Sequence, residues 1–354
     1  MRSAHLKILI TGLGKKLPKT NNLDGISIIC EIANAHEGSI ESMYSLLRAS
    51  DESDADWVKV QIYHFESLVA KENNTLTRVL ENIEFSANEW LDILDYANKL
   101  KPKLMVEVFD IESLNIVKDH CAIKAFKIPT ADIRDVSFIE AVCRIKKPVF
   151  VGVGGAKLEE IDQIYNQISL HSIDLTLLHG IQNFPTKLAD SLLIKINLFR
   201  DRYKCAVGFA DHIDAEDKEM SKTLPAMAVS AGASFIEKHI TLDRSKHGID
   251  FYSSLNPDEF KSFVKFIRDV YSAVGYSAEL ETLNSSETTY RNQMKKFAVL
   301  SKDASIGDLL DHSFVVFRRT SYAGITRNMF EKLEKKAFNV NLIEGTVLNE
   351  SHFK

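Results

Sequence analysis

Apolar runs of strand length recur along the first 275 residues and alternate with longer stretches of amphipathic spacing. The runs predict eight strands, at 26–33, 57–63, 104–109, 125–128, 148–153, 175–178, 206–209 and 235–242. The stretches between them predict helices, at 39–50, 87–100, 111–120, 136–144, 157–168 and 188–200. Eight alternations over about 250 residues are typical of a (β/α)8 barrel, although a doubly wound open sheet has the same rhythm.

Polar side chains and glycines stand at the C-terminal end of nearly every predicted strand. A barrel assembles its active site from the ends of many strands, whereas an open sheet gathers such groups at one switch point. The barrel is therefore the predicted fold. The strand-end residues are Glu31, Lys59, Gln61, Glu107, Lys127, Gly152, Gly154, Gly155, His179, Gln182, Asp211, His212, Glu237 and His239.

The pattern changes after Gly275, where a polar stretch at 284–289 indicates a linker. Turn-rich segments then separate three short apolar runs, at 297–300, 314–317 and 337–343. The chain is thus predicted to have three parts: a catalytic barrel with an N-terminal extension at 1–275, a linker at 276–292, and a small, mostly β domain at 293–354. About sixty residues is marginal for independent stability, so this domain is expected to dock on the barrel or on another subunit.

Composition narrows the classes of partner. The 354 residues are 45% hydrophobic and 26% charged with a net charge of −5, and they contain no basic stripe, so nucleic acid is not an expected partner. The apolar stretch at 6–13 is too short for a signal peptide or a membrane span, so a cytoplasmic protein without a membrane partner is expected. The cysteines are interpreted as small buried hydrophobes in a reducing compartment: Cys30, Cys121, Cys143 and Cys205.

The run at 235–242 carries charged and ionisable side chains among apolar and β-branched residues. Unpaired polar groups are costly to bury, so their presence in such a strand needs a reason. Because strand side chains alternate between faces, Glu237 and His239 point to one side and Lys238 to the other. We interpret Glu237 and His239 as facing a shared cavity, the alternative being a surface strand with solvated charges.

Two histidines at neighbouring strand ends, His212 and His239, are a candidate pair of ligands for a divalent metal ion. Asp211 and Glu237 are candidates for orienting them, and each histidine taken singly has a structural role as its alternative. On strands two and four, Lys59 and Lys127 need an anion to remain charged if they are buried. A phosphate or carboxylate ligand meets that need, and so does a salt bridge to Glu31 or Glu107.

Six segments resemble, in order and approximate spacing, the motifs of sialic acid (N-acetylneuraminate) synthases. They read EIANAHEG at 31–38, VKVQ at 58–61, FKIPTAD at 126–132, FPT at 184–186, GFADH at 208–212 and IEKHITLDR at 236–244. The resemblance covers nearly the whole chain, and the tail resembles the C-terminal antifreeze-like (SAF) domain of that family. It implies an α/β protein, a TIM barrel with the (β/α)8 fold, followed by a small, mostly β SAF domain.

The resemblance also implies an activity. Members of the family condense phosphoenolpyruvate with an N-acyl hexosamine aldehyde and water, giving a 2-keto-3-deoxy sugar acid and phosphate for surface glycans. Glu31, His212 and His239 match the catalytic positions, and the two histidines would bind Mn²⁺, with Mg²⁺ or Co²⁺ as alternatives. Lys59, Lys127 and Thr130 match positions that bind phosphoenolpyruvate. The residues that match the sugar site are Gln61, Asp132, Gln182, Phe184, Asp250 and Arg319.

The family's architecture implies a domain-swapped homodimer in which the tail of one chain closes the barrel mouth of the other. Arg319 is the best match to the arginine that reaches across this dimer to the acyl group of the sugar, and Arg318 is adjacent to it. The predicted linker has fifteen residues from Ser277 to Arg291, which can span about 50 Å when extended.

The chain departs from the family's pattern around the phosphate. Glu107 and Ala210 stand where relatives have small hydroxyl residues, and Gly152-Val153-Gly154 replaces Ser-Thr-Gly. We expect Glu107 to orient a basic residue such as Lys127 rather than to touch phosphate, because two like charges would otherwise meet. Gln182 and an aromatic residue without a hydroxyl also alter the sixth strand end, which predicts an acceptor other than N-acetylmannosamine.

Two other functions fit parts of the sequence. The first is an aldol synthase of the heptulosonate or octulosonate type, which uses phosphoenolpyruvate and a sugar phosphate; the SAF-like tail argues against it. The second is a sugar-binding pseudoenzyme, for which Glu107 and Ala210 in the phosphate site argue. A binding module has no need to keep several buried charged groups converging on one place, which favours the synthase.

Overall fold

The computed structural model describes residues 25–70, 74–183, 185–276 and 282–354. Within it, eight parallel strands form a closed barrel, because β1 pairs with both β2 and β8. The strands are β1 (Ser27–Glu31), β2 (Trp57–Ile62), β3 (Lys103–Val108), β4 (Ile123–Ile128), β5 (Val149–Gly152), β6 (Leu175–His179), β7 (Ala206–Asp211) and β8 (Phe235–Ile240). The predicted TIM barrel is confirmed, and a short ninth strand, β9 (Ser254–Leu255), pairs with β8.

Helices follow the strands and cover the outside of the barrel. They are α1 (Ile40–Glu52), α2 (Phe65–Leu68), α3 (Asn74–Ile83), α4 (Ala87–Ala97), α5 (Ile111–Val117), α6 (Val136–Arg144), α7 (Leu158–Ser169), α8 (Ile194–Tyr203), α9 (Met220–Ser230) and α10 (Pro257–Val274). The predicted helix at 188–200 is shorter in the structure, because Leu192 has a φ of 41° and interrupts the chain between a 3₁₀ turn and α8.

Side chains inside the barrel form layers along its axis. The layer nearer the amino ends of the strands is apolar, so it excludes water and supports what lies above it. It contains Ile29, Trp57, Met105, Ala125, Phe150, Leu178 and Phe235. The next inward-facing positions towards the carboxyl ends carry the charged side chains described below.

A second compact unit begins at Ser277. Its described part contains α11 (Ser285–Met294), the antiparallel strands β10 (Lys296–Leu300) and β11 (Val315–Arg319), and α12 (Arg327–Leu333). Helix α11 lies in the stretch predicted as a linker and is capped by Asn284. The unit has its own apolar core, formed by Ala298, Leu300, Ala304, Leu310, Ile325, Phe330, Phe338, Leu348 and Phe353.

The sequence predicted that the apolar stretch at 6–13, which lies outside the described residues, is too short for a membrane span and that the cysteines are buried. In the parts of the chain that are described, no helix is long and apolar enough to cross a membrane. Cys30 and Cys143 are buried as predicted, but Cys121 is exposed because it follows α5 in a surface turn.

Candidate active site

The carboxyl ends of the strands enclose a cavity of about 340 Å³ inside the barrel unit. Its wall combines charged, amide, imidazole and apolar side chains with two glycines. The described lining residues are Asn34, Gln61, Tyr63, Leu68, Val69, Leu80, Glu107, Phe109, Lys127, Pro129, Thr130, Gly152, Leu178, Gly180, Gln182, Ala210, His212, His239 and Asp250. This is the face on which TIM barrels carry their active sites.

A cluster of five charged side chains forms the inward-facing layer at this end of the barrel; we call it the inner cluster. Strand register creates it, because β1–β2 pairing puts Glu31 beside Lys59 and β3–β4 pairing puts Glu107 beside Lys127. Glu237 joins them from β8. Every member is almost completely buried, so each charge depends on its neighbours rather than on water.

Lys59 lies at the centre of the inner cluster. Its Nζ contacts the Glu31 carboxylate and lies 2.7 Å from Glu107 Oε2 and 3.0 Å from Glu237 Oε2. Three carboxylates match the three N–H donors of an ammonium group, so these donors are already engaged. The sequence predicted Lys59 as a ligand of phosphoenolpyruvate, and the structure places it among glutamates.

Lys127 is the lysine of the inner cluster that lines the cavity. Its Nζ lies 3.0 and 3.3 Å from the two oxygens of Glu237 and 3.4 Å from Glu107 Oε2. Glu107 therefore contacts both lysines of the inner cluster, which is compatible with the expected orienting role. The Glu107 carboxylate lies closer to Lys59 than to Lys127, although Lys127 was the partner expected from the sequence.

Burial and ion pairing act in opposite directions on these groups. Burial opposes ionisation of Glu107, but the charges of Lys127 and Lys59 outweigh it and lower the pKa of this carboxyl. The same balance lowers the pKa of Glu237. Burial also disfavours a charged Lys127, yet Glu107 and Glu237 raise its pKa, whereas burial dominates for Lys59 and lowers its pKa. The inner cluster is thus built to hold ionised carboxylates.

His212 and His239 both line the cavity, with ring centroids 5.1 Å apart. Burial lowers the pKa of His212 to about 4 and that of His239 well below its usual range. Both rings are therefore neutral at pH 7, which is the form that binds metal ions. Among the described residues, no group of three or more His, Cys, Asp or Glu side chains is arranged to hold a metal. The pair fits an ion whose remaining ligands are water or substrate oxygens.

The two carboxylates predicted to orient these histidines have other partners. Asp211 points to the outside of the barrel, where its Oδ2 lies 2.6 Å from Lys238 Nζ and its Oδ1 accepts from the backbone N–H of Ile213. Glu237 belongs to the inner cluster. As predicted, Glu237 and Lys238 lie on opposite faces of β8.

The phosphate side of the cavity is closely packed. Thr130, predicted to bind phosphoenolpyruvate, lines the wall beside Gly152. A Cβ on Gly152 would lie 2.9 Å from the hydroxyl oxygen of Thr130. A Cβ on Gly180 would lie 2.0 Å from the carbonyl oxygen of Ala210. Close approach to backbone therefore requires glycine at Gly180, whereas a Cβ at Gly152 would crowd the Thr130 hydroxyl, which is the hydroxyl on this wall.

The cavity wall also presents polar groups suited to a sugar. Gln61 lines it and donates from Nε2 to Glu107 Oε2 at 3.3 Å, and Asp250 lines it from a left-handed backbone conformation with a φ of 62°. Burial raises the pKa of Asp250. The Tyr63 hydroxyl donates to Asn34 Oδ1 at 3.0 Å, and both residues line the wall although neither was predicted as a site residue. The sequence signal that could have identified them is their position after the C-terminal ends of β1 and β2.

The remaining predicted sugar ligands are distributed differently. Gln182 lines the cavity after β6. Asp132 lies in a 3₁₀ turn after β4, outside the described lining, and burial raises its pKa to about 6. Arg319 is exposed at the end of β11 in the second unit. Phe184 lies outside the described residues.

An apolar wall completes the cavity and was missed by the sequence analysis. It comes from helices α2 and α3 and from the end of β3, and it packs with Tyr63 into one small cluster. Its lining members are Leu68, Val69, Leu80 and Phe109. The helices that carry most of it lie between strands two and three, where no helix was predicted before residue 87.

A closed (β/α)8 barrel with a charged, histidine-bearing cavity at the carboxyl ends of its strands has the form of a TIM-barrel enzyme. A model of the NeuB family matches residues 46–279, more than half of the chain. The chain therefore belongs to the NeuB family, which confirms the resemblance to sialic acid synthases.

Individual relatives agree with this assignment. The chain is 27% identical over 345 residues to the N,N'-diacetyllegionaminic acid synthase of Legionella pneumophila, covering 92% of this chain and 94% of that protein. It is 28% identical over 344 residues to a pseudaminic acid synthase of Campylobacter jejuni, covering 93% and 97%. The sialic acid synthetase of Leptospira borgpetersenii, solved in complex with citrate, superimposes with a TM-score of 0.70 at 25% identity, covering 78% and 96%. The chain is thus an enzyme of the carbon–carbon bond-forming synthase class.

Proposed function

We propose that the enzyme condenses phosphoenolpyruvate with an N-acyl hexosamine aldehyde and water to form a nonulosonate and phosphate for a surface glycan. The observation that carries this proposal is the arrangement of the cavity. Its wall combines a lysine and a threonine, Lys127 and Thr130, with two neutral imidazoles at the strand ends and with amide and apolar groups. The cationic and hydroxyl groups match an anionic donor, and the amide and apolar groups match a neutral, acylated sugar.

In the proposed mechanism, Lys127 and Thr130 bind the anionic groups of phosphoenolpyruvate and orient its C3 towards the aldehyde carbon. Lys59 is a positioning residue that holds the inner cluster together beneath the donor. His212 and His239 would hold a divalent ion, which supplies electrophilic polarisation of the aldehyde oxygen when bound. This assignment is supported by the neutrality of both buried rings.

After the carbon–carbon bond forms, positive charge develops at C2 and water adds there before phosphate leaves. We assign Glu31 as the group that accepts a proton from this water. Its Oε1 accepts from the backbone N–H of Ala33 at 2.6 Å, and its other oxygen contacts Lys59. These contacts fix the position of the carboxylate.

The cavity favours a neutral acceptor over a sugar phosphate. Among the described lining residues, Lys127 is the only lysine or arginine, and we assign it to the donor. The apolar wall of Leu68, Val69, Leu80 and Phe109 fits acyl methyl groups or a deoxy carbon rather than a charged group. The relatives named for legionaminic and pseudaminic acid support an acceptor of the 2,4-diacylamino hexose type.

The test is phosphate release from phosphoenolpyruvate with a panel of acceptors, followed by mass spectrometry of the products. The panel contains 2,4-diacylamino hexoses, N-acetylmannosamine and arabinose 5-phosphate. We expect release with a diacylamino hexose and a product that contains the acceptor plus one pyruvate unit. Release with arabinose 5-phosphate alone would identify the second enzyme class, and no release with any acceptor would favour a sugar-binding protein.

We also propose the homodimer implied by the family, in which Arg319 of one chain reaches the acceptor bound by another. Exposure of Arg319 at the end of β11 is compatible with such a contact. Arg319→Ala is expected to raise the KM for the sugar more than that for phosphoenolpyruvate, whereas Arg318→Ala serves as the matched exposed control. A monomer by light scattering at the working concentration, or equal effects of both variants, would refute the proposal.

A further inference from the structure

The inner cluster contains more negative than positive charges. It holds three carboxylates, Glu31, Glu107 and Glu237, but only two ammonium groups, Lys59 and Lys127, so its net charge is −1 when all are ionised. The proposed donor adds a phosphate and a carboxylate. A divalent ion on His212 and His239 would offset part of this negative charge, but the Glu107 carboxylate would still repel an anion bound beside it. This inference rests on the proposed function, because the anion considered is phosphoenolpyruvate.

Glu107 is the carboxylate that an incoming anion must meet. It lines the cavity next to Lys127, and its Oε2 lies 3.4 Å from Lys127 Nζ. Any phosphate or carboxylate that binds this ammonium from the cavity therefore comes close to Glu107. Lys59 cannot attract the anion instead, because three carboxylates already surround its Nζ.

Glu107 is also fixed in its position. It is 2% exposed, and its Oε2 accepts hydrogen bonds from Lys59 Nζ at 2.7 Å and from Gln61 Nε2 at 3.3 Å. Rotation away from the cavity would break both bonds and leave Lys59 with fewer partners. Neutralisation by a proton removes the repulsion without that movement, and the protonated carboxyl gains an O–H donor.

We propose that phosphoenolpyruvate binding is coupled to the uptake of one proton from solvent by Glu107, which then donates a hydrogen bond to the bound anion. The carboxylate changes from −1 to neutral, and the inner cluster changes from −1 to zero. Glu107 thereby supplies an O–H group on the cavity wall. Gly152 and Ala210, which also line this wall, carry no hydroxyl. The ionisable groups facing this region are Glu31, Lys59, Lys127, Asp132, His212, Glu237, His239 and Asp250.

The other carboxylates are less suited to take this proton. Both carboxylate oxygens of Glu237 accept hydrogen bonds from Lys127 Nζ, and one of them also contacts Lys59. Glu31 is held by the backbone of Ala33 and by Lys59. Two competitors remain. The pKa of Asp132 is raised to about 6 by burial and by nearby carboxylates, including Glu107, and Asp250 lines the cavity with a pKa that burial also raises.

The experiment is isothermal titration of the full-length enzyme with phosphoenolpyruvate at a fixed Mn²⁺ concentration. Buffers of different ionisation enthalpy report the number of protons taken up per ligand bound. The pH is kept between 7 and 9, where the phosphate monoester is fully ionised because its second pKa is about 6. We expect nearly one proton per ligand, and an affinity that falls about tenfold per pH unit as the pH rises.

Glu107→Gln is expected to abolish the uptake and flatten the pH dependence, so that its affinity relative to the wild type rises about tenfold per pH unit between pH 7 and 9. Glu107→Thr is the second variant if the first does not fold. Asp132→Asn is the matched carboxylate control and should retain the uptake. Absence of uptake in the wild type, or uptake that persists in Glu107→Gln, would overturn the proposal. Failure of phosphoenolpyruvate to bind or to release phosphate would instead contradict the proposed function.

Discussion

Two sets of buried charges lie on opposite faces of the barrel wall, with β8 contributing to both, and they are organised differently. The outward pair, Asp211 and Lys238, is balanced one to one at 2.6 Å and is packed between strands and helices. The inner cluster holds three carboxylates around two lysines and borders the cavity. In a balanced pair each charge is neutralised by its partner, so no net charge is left to attract a ligand. An unbalanced cluster carries a net charge, which attracts a counterion or is removed by a change in protonation. We infer that the outward pair serves stability and the inner cluster serves chemistry.

The largest expected effect comes from removing the two imidazoles that line the cavity beside the inner cluster. His212→Ala and His239→Ala should each lower kcat/KM by at least about 10³-fold, as should removal of divalent ions by a chelator. Restoring activity with Mn²⁺ in the wild type, but not in the variants, would support the assignment. The matched control is His179→Asn, a buried histidine at the end of β6 that instead bonds the backbone of Ser191. Full activity in a metal-free preparation would exclude the role.

The inner cluster is tested by removing its lysine on the cavity wall. Lys127→Met should lower kcat/KM by about 10²–10³-fold, because it removes the charge that faces the donor. Unfolding should also become easier, because two carboxylates lose a partner. Lys124→Met is the control on the same strand, where the side chain is exposed on the other face. Equal activities of the two variants would show that the inner cluster is only structural.

The sequence predicted the barrel and the composition of the site, because strand alternation fixes which side chains share a face. Glu237 and Lys238 are examples, since the period of two alone separates them. Salt bridges to Glu31 or Glu107 were the open alternative for Lys59, and both contacts are present. Its contact with Glu237 could not be predicted, because it depends on strand register across distant parts of the chain. The apolar wall was missed for another reason: it lies on helices inserted after β2, which carry no recognisable motif.

The outward pair should affect stability more than activity. Lys238→Met is expected to lower the free energy of unfolding by about 3–5 kcal/mol, because it leaves Asp211 as an unpaired buried carboxylate. The double variant Asp211→Asn/Lys238→Met should regain part of this loss. Urea denaturation measures both effects, and kcat/KM of the folded protein should stay within about tenfold of the wild type. A large loss of activity with unchanged stability would show that the outward pair serves chemistry rather than stability.

The smallest effect is expected at the ion pair of Arg244 with Glu259, which is partly open to solvent and belongs to a small network with Glu216 and Lys218. Glu259 Oε1 accepts from Arg244 at 3.0 Å, and the side chain of Glu259 is 28% exposed. The hydrogen bonds from Arg244 lower the pKa of Glu259 from 4.5 to about 2. A lowered acid pKa stabilises the fold above pH 4.5, and that contribution is lost as the pH falls towards 2.

Glu259→Gln should therefore cost about 1–2 kcal/mol at pH 7 after allowance for solvent screening, and progressively less below pH 4.5. Urea denaturation at pH 7, 5, 4 and 3 measures the difference between the variant and the wild type. Glu159→Gln is the control, an exposed glutamate in the first turn of α7 with no ion pair among the described residues. A destabilisation by Glu259→Gln that is constant across this range would mean that packing, not charge, provides the stability of this pair.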